Sequence, residues 1–189
     1  TSAGNNLRMN EQKLESSRNF ANKLWNASRF VISNLNKRED SIKTAKPENI
    51  LNRHDKWILS RLDQVTKDVN RFMEDFQFGE AQTHIHDFLW NEYCDWYIEL
   101  TKDRLKTRDT ESPLSILAYV LERTLRLLHP FLPFVTEEIW GNLCKSLDTP
   151  KDWPDSLIMA DYPVISETTI DEASIAEMGK LIDFIRAIR

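Results

Sequence analysis

Glycine is scarce in this sequence, with only four glycines among 189 residues. A loop that cradles phosphate with its backbone N–H groups depends on several closely spaced glycines, and no such cluster occurs here. The two cysteines, Cys94 and Cys144, lack the C-x-x-C spacing of zinc and redox motifs. These shortages argue against a nucleotide-binding loop and a disulfide scaffold, and they favour a reduced, cytoplasmic protein.

Long hydrophobic runs are also missing. No apolar run approaches the roughly 18 residues of a membrane span, and no signal peptide opens the sequence. Hydrophobic residues make up 41% of the chain and charged residues 29%, a balance typical of globular proteins. We therefore expect one substantial core and no contact with a membrane.

Positive charge is concentrated at one end of the chain. The net charge of −5 argues mildly against a nucleic-acid partner. However, residues 1–46 hold nine Lys or Arg against four Asp or Glu, whereas the rest holds sixteen against twenty-six. A basic segment on an acidic body is the kind of local feature that attracts a polyanion.

Apolar residues recur at helical spacing along most of the sequence. Strand-like alternation is missing, except for a few residues around LIMA at 157–160. Helices are predicted over about 10–36, 53–77, 80–105, from Pro113 to a bend at HPFLPF (129–134), beyond that bend, and over 171–188. The predicted fold is all-α, a helical bundle of four to five long helices with a short irregular C-terminal extension.

The helical periodicity also predicts which faces are buried. The first helix is expected to bury Leu14, Ala21, Trp25, Ser28, Ile32 and Leu35. The second is expected to bury Ile58, Leu62, Val65, Val69, Phe72 and Phe76 and to break at Gly79. The last helix has a strong apolar stripe, but we expect its Ile182, Ile185 and Ile188 to be more exposed than the bundle core.

Three asparagines lie in the middle of the first predicted helix, although asparagine is a poor residue for a helix interior. On a wheel of about 100° per residue they form a strip beside the predicted apolar stripe. This amide strip consists of Asn19, Asn22, Asn26, Arg29, Phe30 and Ser33. Amide and guanidinium groups can hydrogen-bond the edges of unpaired bases, and an aromatic ring can stack on them. Alternatively, the amides bind a neighbouring helix or water.

A polar row lies on the third predicted helix, where Asp87, Asn91 and Asp95 are spaced four residues apart. Carboxylates can accept hydrogen bonds from cytosine or adenine amino groups, but salt bridges to another helix are the more ordinary use. Glu92 falls among apolar residues on the wheel, where an unpaired carboxylate is costly. We therefore predict that Glu92 binds an arginine from another helix.

Neither a catalytic site nor a metal site is predicted. His84 and His86 of the HIH sequence point about 200° apart on a helix, so they cannot share an ion. No other set of residues has the spacing of zinc ligands, and no nucleophile–base pair is visible. The residues alone predict a helical binding or interaction module.

Four segments resemble valyl-tRNA synthetases, in which they occur in the same order and at matching intervals. The segments are RNFANKLWNASRFV (18–31), DKWILSRLDQV (55–65), NEYCDWYIEL (91–100) and LRLLHPFLPFVTEEIW (125–140). The resemblance covers roughly residues 4–163 and the IRAIR segment near the end. HPFLPFVTEEIW is shared with isoleucyl and leucyl relatives, whereas NFANKLWNASRF and CDWYIEL favour valine.

This resemblance implies the anticodon-binding domain of a class I ligase that uses ATP and Mg²⁺ to activate valine and esterify it to its tRNA. The HIGH and KMSKS motifs, the editing domain and the C-terminal coiled coil of that family are absent from this sequence. The chain alone is therefore expected to be inactive and to bind no cofactor. The expected partners of this module are the anticodon loop of valine tRNA, facing the amide strip and the polar row, and the parent's own catalytic domain.

The resemblance also divides the chain. Residues 1–9 are expected to be a tail from the catalytic domain boundary and 10–147 the anticodon-binding bundle. Residues 148–170 are expected to be an irregular connector, and 171–189 a helix leading to further C-terminal structure. A monomer is expected. Two alternatives stay open, namely the anticodon-binding domain of an isoleucyl-type synthetase and a helical protein-interaction module without an RNA role.

Overall fold

A computed structural model describes residues 11–38, 42, 50–106, 113–149, 153–165 and 170–188. Its α-helices are α1 (Glu11–Leu35), α2 (Arg53–Glu74), α3 (Phe78–Asp87), α4 (Ile98–Lys106), α5 (Leu114–Leu128), α6 (Pro133–Cys144) and α7 (Glu172–Ile188). A π-helix, Phe88–Tyr97, joins α3 to α4, and Leu157–Met159 form a 3-10 helix. No β-strand occurs in these ranges. The predicted all-α fold is confirmed.

Two of the expectations concern the beginning of the chain and a membrane span. The predicted tail at residues 1–9 and the first residue of the predicted bundle lie outside the described residues. None of the helices that the structure describes combines the length and the apolar character needed to cross a membrane.

Helix α5 lies at the centre of the bundle, packed against α1, α2, α3 and α6. Twelve of its fifteen residues are buried, as expected for a helix that is apolar on nearly all sides. The α2 residues Ile58, Leu62, Val65 and Val69 are buried as predicted. These helices form one core, and the faces they leave to solvent are available for binding.

The predicted apolar stripe of α1 is wrong for two of its residues. Leu14 and Trp25 are exposed, Ala21 and Ile32 are half-buried, and only Ser28 and Leu35 are buried. The residues buried instead are Phe20, Leu24, Ala27 and Val31. This set is centred about 90° from the predicted stripe on the helical wheel. The helix carries two neighbouring apolar faces, and packing against α5, α6 and the π-helix selects one of them.

The turn between α2 and α3 differs from the prediction. The break falls at 75–77, before Gly79, which lies inside α3. Phe76 was expected in the core but is 80% exposed, with φ of 58°. Its left-handed backbone closes the helix end, where Phe76 N–H donates to the Met73 carbonyl and Gln77 N–H to that of Phe72. Because the chain reverses there, the Phe76 ring points away from the core.

The segment after α6 packs on the bundle. Trp153 stacks on Trp140 with ring centroids 4.8 Å apart, and Leu157 is buried. The Asn70 amide donates to the Pro163 carbonyl at 2.9 Å. The few strand-like residues at LIMA form the 3-10 helix instead of a strand. Residues beyond 147 therefore contribute to the same core as the earlier helices.

Helix α7 is under-packed, as predicted. It packs on α2 through Met178 and Ile182, which are buried. Ile185 is half-buried and Ile188 is exposed. The three isoleucines are thus not all deeply buried, and the exposure increases toward the end of the helix.

Candidate nucleic-acid interface

The amide strip faces solvent. Five of its six members are exposed, and the strip lies roughly opposite the buried face of α1 on the helical wheel. Phe30 is half-buried and packs against the core. Within the described part of the chain, no hydrogen bond or ion pair is found for the side chains of Asn19, Asn22, Asn26 and Arg29. Their donors and acceptors are therefore available to a ligand.

Lys23 joins the edge of the amide strip to the polar row. Its ammonium lies 2.6 Å from the Asp95 carboxylate and 3.7 Å from the centre of the Trp90 ring. Trp90 and Asp95 are five residues apart, the spacing of π-helical hydrogen bonds, so both can reach the same lysine. This contact places the polar row alongside α1.

The polar row is only partly free. Asp87 and Asp95 are exposed and Asn91 is half-buried. Asp95 is held by Lys23, and the Asp87 carboxylate lies 3.1 Å from His86 Nδ1. Asp95 therefore serves as an inter-helix contact, while its exposed edge can still meet a ligand.

Glu92 binds an arginine on another helix, and this prediction is confirmed. Both carboxylate oxygens accept from Arg61 of α2, each at 2.7 Å. Arg61 also donates to Gln64. The hydrogen bond to Glu92 raises the pKa of Arg61. Because both partners are half-buried and the geometry is bidentate, Glu92 is a strut between α2 and the π-helix.

Burial keeps both cysteine thiols unreactive, and both histidines of the HIH sequence contact aromatic rings. Burial raises the pKa of the Cys94 thiol to about 12 and that of Cys144 to about 11, so both stay protonated and unreactive near neutrality. His84 contacts Phe72 edge-on, whereas His86 stacks on Phe20. The residues that the structure describes contain no group of three or more His, Cys, Asp or Glu arranged around a metal ion.

The structure also brings together residues that the sequence reasoning missed, namely Lys23, His86 and Trp90. The rings of His86 and Trp90 lie parallel, with centroids 5.7 Å apart. The sequence holds only a weak signal for them, namely their positions. Lys23 lies between residues of the amide strip, and Trp90 directly precedes Asn91 of the polar row. Only the packing of α1 on α3 and the π-helix shows that they adjoin the candidate site.

A family model and several known proteins are similar to this chain in sequence. A family model described as the anticodon-binding domain of tRNA ligase matches residues 55–189. A valine–tRNA ligase from Dehalococcoides mccartyi (strain CBDB1) is 49% identical over 189 residues, which are 100% of this chain and 21% of that protein. The corresponding ligase from Latilactobacillus sakei is 43% identical over 98% of this chain and 20% of that protein. The chain thus spans about a fifth of the length of these curated relatives.

A solved structure has a similar fold. It is the crystal structure of the ternary complex of Agrobacterium radiobacter K84 agnB2 LeuRS-tRNA-LeuAMS, with a TM-score of 0.59. The match covers 89% of this chain and 18% of that chain at 19% identity. At that identity the likeness concerns the fold alone.

Proposed function

Because this chain belongs to the anticodon-binding domain family of tRNA ligases, we propose that it recognises the anticodon loop of valine tRNA on behalf of a larger valine–tRNA ligase. The observation that carries the proposal is the exposed amide strip, whose asparagines and Arg29 have no partner among the described residues. Exposed polar groups spaced along one rigid helix can meet several successive bases without first breaking internal contacts.

The chemistry of the strip suits unpaired bases. Each asparagine amide offers a donor and an acceptor in one plane, which matches the edge of a base. Arg29 offers paired donors or neutralises a phosphate, and Phe30 presents part of a ring. We assign anticodon contacts to the strip residues Asn19, Asn22, Asn26, Arg29, Phe30 and Ser33, and to the polar row Asp87, Asn91 and Asp95.

Valine is favoured over isoleucine because relatives that are 42–49% identical carry the name valine–tRNA ligase. The interaction module without an RNA role has no specific observation in its favour. In the proposed parent enzyme, ATP and Mg²⁺ serve valine activation in the catalytic domain, and this chain binds neither. We further propose that it acts in the cytoplasm as one monomeric part of that enzyme.

The proposed division of the chain keeps residues 10–147 as the anticodon-binding bundle. The tail at 1–9 would lead from the catalytic domain, and the helix at 171–189 would lead onward. The burial of Leu157 in the bundle core supports treating the part of the connector described at 153–165 as packed onto the bundle.

The test compares a hairpin RNA carrying a valine anticodon with one whose middle anticodon base is changed. The chain should bind the first more tightly. Asn26→Ala should reduce binding by about 1–3 kcal/mol, mainly through one cognate base. Arg29→Ala should weaken hairpin binding by a similar free energy if the guanidinium contacts a base. If the guanidinium contacts phosphate, Arg29→Ala should weaken binding equally for hairpins of different anticodon, and the affinity should depend less steeply on salt concentration.

The control is Asn142→Ala, which removes an amide on α6 that binds Glu138 and should leave hairpin affinity unchanged. Melting temperatures of all variants separate binding from folding. Equal weak binding to both hairpins would leave only nonspecific electrostatics, and tighter binding to an isoleucine anticodon would favour the isoleucyl alternative. If Asn26→Ala destabilises the fold but leaves hairpin affinity unchanged, the asparagines have a structural role instead.

A further inference from the structure

A groove runs along the N-terminal half of α1, where this helix faces α3 and the start of the π-helix. Its outer part has a volume of about 330 Å³ and is lined by Gln12, Glu15, Ser16, Asn19, His86 and Trp90. Its inner part, of about 280 Å³, shares Ser16 and His86 and extends to Phe20 and Leu128. Each part is near the lower end of the range of about 300–1,000 Å³ typical of small-molecule sites.

We propose that this groove binds one unpaired base of the same RNA loop by stacking, as a second contact beside the amide strip. The inference rests on the proposed function and extends it from hydrogen bonding along α1 to a stacking pocket between α1 and α3. It assigns ligand contact to His86 and Trp90, which lie outside the strip and the row.

Three aromatic rings form the wall of the groove. Phe20 stacks on His86 with centroids 4.6 Å apart and an interplanar angle of 28°. His86 and Trp90 are inclined by only 12°. The His86 side chain is 38% exposed and Trp90 is half-buried, so part of this ring surface is accessible. Proteins stack single-stranded bases on aromatic side chains that leave part of a ring face accessible.

Lys23 is the positioning residue of the groove. Its contacts to the Trp90 ring and the Asp95 carboxylate, described above, fix the indole against α1. Because Lys23 covers one face of the indole, a base stacks on the part of the Trp90 ring that lines the groove. A ring held in place before the ligand arrives loses little side-chain entropy on binding.

The groove is continuous with the amide strip, because Asn19 belongs to both. A strand that contacts Asn22 and Asn26 could therefore continue past Asn19 into the groove. Glu15 lies on the rim, and Asp87 is adjacent to His86. Carboxylates repel phosphate but accept hydrogen bonds from base amino groups. The groove should therefore take a base with an exocyclic amino group in preference to uracil.

The experiment uses the whole chain and the valine anticodon hairpin, with 2-aminopurine placed in turn at each unpaired position. We expect strong quenching on binding at one position, where the base stacks on Trp90. Trp90→Leu should abolish that quenching and weaken affinity by about 5- to 150-fold, while Trp90→Phe should retain most of both. Trp25→Leu is the matched control, since Trp25 lies on the same helix as the strip but outside the groove.

A measurement on the unaltered chain guards against a folding defect in Trp90→Leu. Replacing the base at the quenched position by uracil should weaken binding. If no position is quenched, or if folded Trp90→Leu binds as the unaltered chain does, the groove proposal is overturned. The strip proposal still stands in that case, provided that Asn26→Ala loses discrimination. If the anticodon change has no effect on binding at all, the proposed function fails and the groove proposal fails with it.

Discussion

At the scale of single residues, α1 shows how little separates a buried position from an exposed one. Leu24 and Trp25 are neighbours in the sequence and both are large and apolar. Leu24 is fully buried, whereas Trp25 is 37% exposed. One residue is a rotation of about 100° on a helix, which is enough to move a side chain from the core to its edge.

This difference predicts unequal effects on stability. Leu24→Ala should lower the free energy of unfolding by about 2–5 kcal/mol, because it leaves a cavity in the core. Trp25→Ala should lower it by less than the roughly 3–5 kcal/mol typical of a buried tryptophan. Urea denaturation of both variants gives the comparison. A larger loss for Trp25→Ala than for Leu24→Ala would contradict the position assigned to α1.

At the scale of helices, the π-helix decides how the candidate site is assembled. Its inner side is fixed by hydrogen bonds from Tyr93 OH to the Leu117 carbonyl and from Tyr97 OH to Asp55, both at 2.8 Å. Its other side carries Trp90 and Asp95 toward α1. Wider helical hydrogen bonding of this type is rare and is often found at functional sites, which agrees with its place beside the amide strip.

Helix α7 gives a prediction at the same scale. Met178 is buried against the bundle, whereas Phe184 is 65% exposed. Met178→Ala should cost about 2–5 kcal/mol of stability. Phe184→Ala should stay within about 0.5 kcal/mol, because exposed positions without special contacts tolerate change. The two variants share one helix, so chemical denaturation compares them directly. A large loss for Phe184→Ala would mean that the outer face of α7 is covered in the protein studied.

At the scale of the whole molecule, one core extends across the chain. Buried residues from Phe20 in α1 to Ile182 in α7 form a single cluster. Several polar side chains are buried among these residues. The Asp55 carboxylate, for example, accepts from Arg104 at 2.8 Å through both oxygens and from Tyr97. Leu157, which follows α6, is buried in the same cluster, and Trp153 packs against it.

A continuous core predicts cooperative unfolding. Thermal melts followed by circular dichroism and by tryptophan fluorescence should coincide in one transition. The fluorescence probe is informative because Trp140 and Trp153 report on the packing of the connector. Two separated transitions, or a broad melt without a cooperative step, would show that the region after residue 147 unfolds on its own or that the core is incomplete.

The sequence by itself determined the helices, the need of Glu92 for an arginine and the weak packing of the last helix, because these follow from local periodicity and from the cost of an unpaired carboxylate. The exposure of the amide strip was also predictable in this way. Only the tertiary structure decided which of two apolar faces of α1 is buried, since that choice depends on the shapes of α5, α6 and the π-helix. It likewise decided the π-helical bonding and the contact of Lys23 with Trp90 and Asp95, because both depend on residues that are distant in sequence and adjacent only after packing.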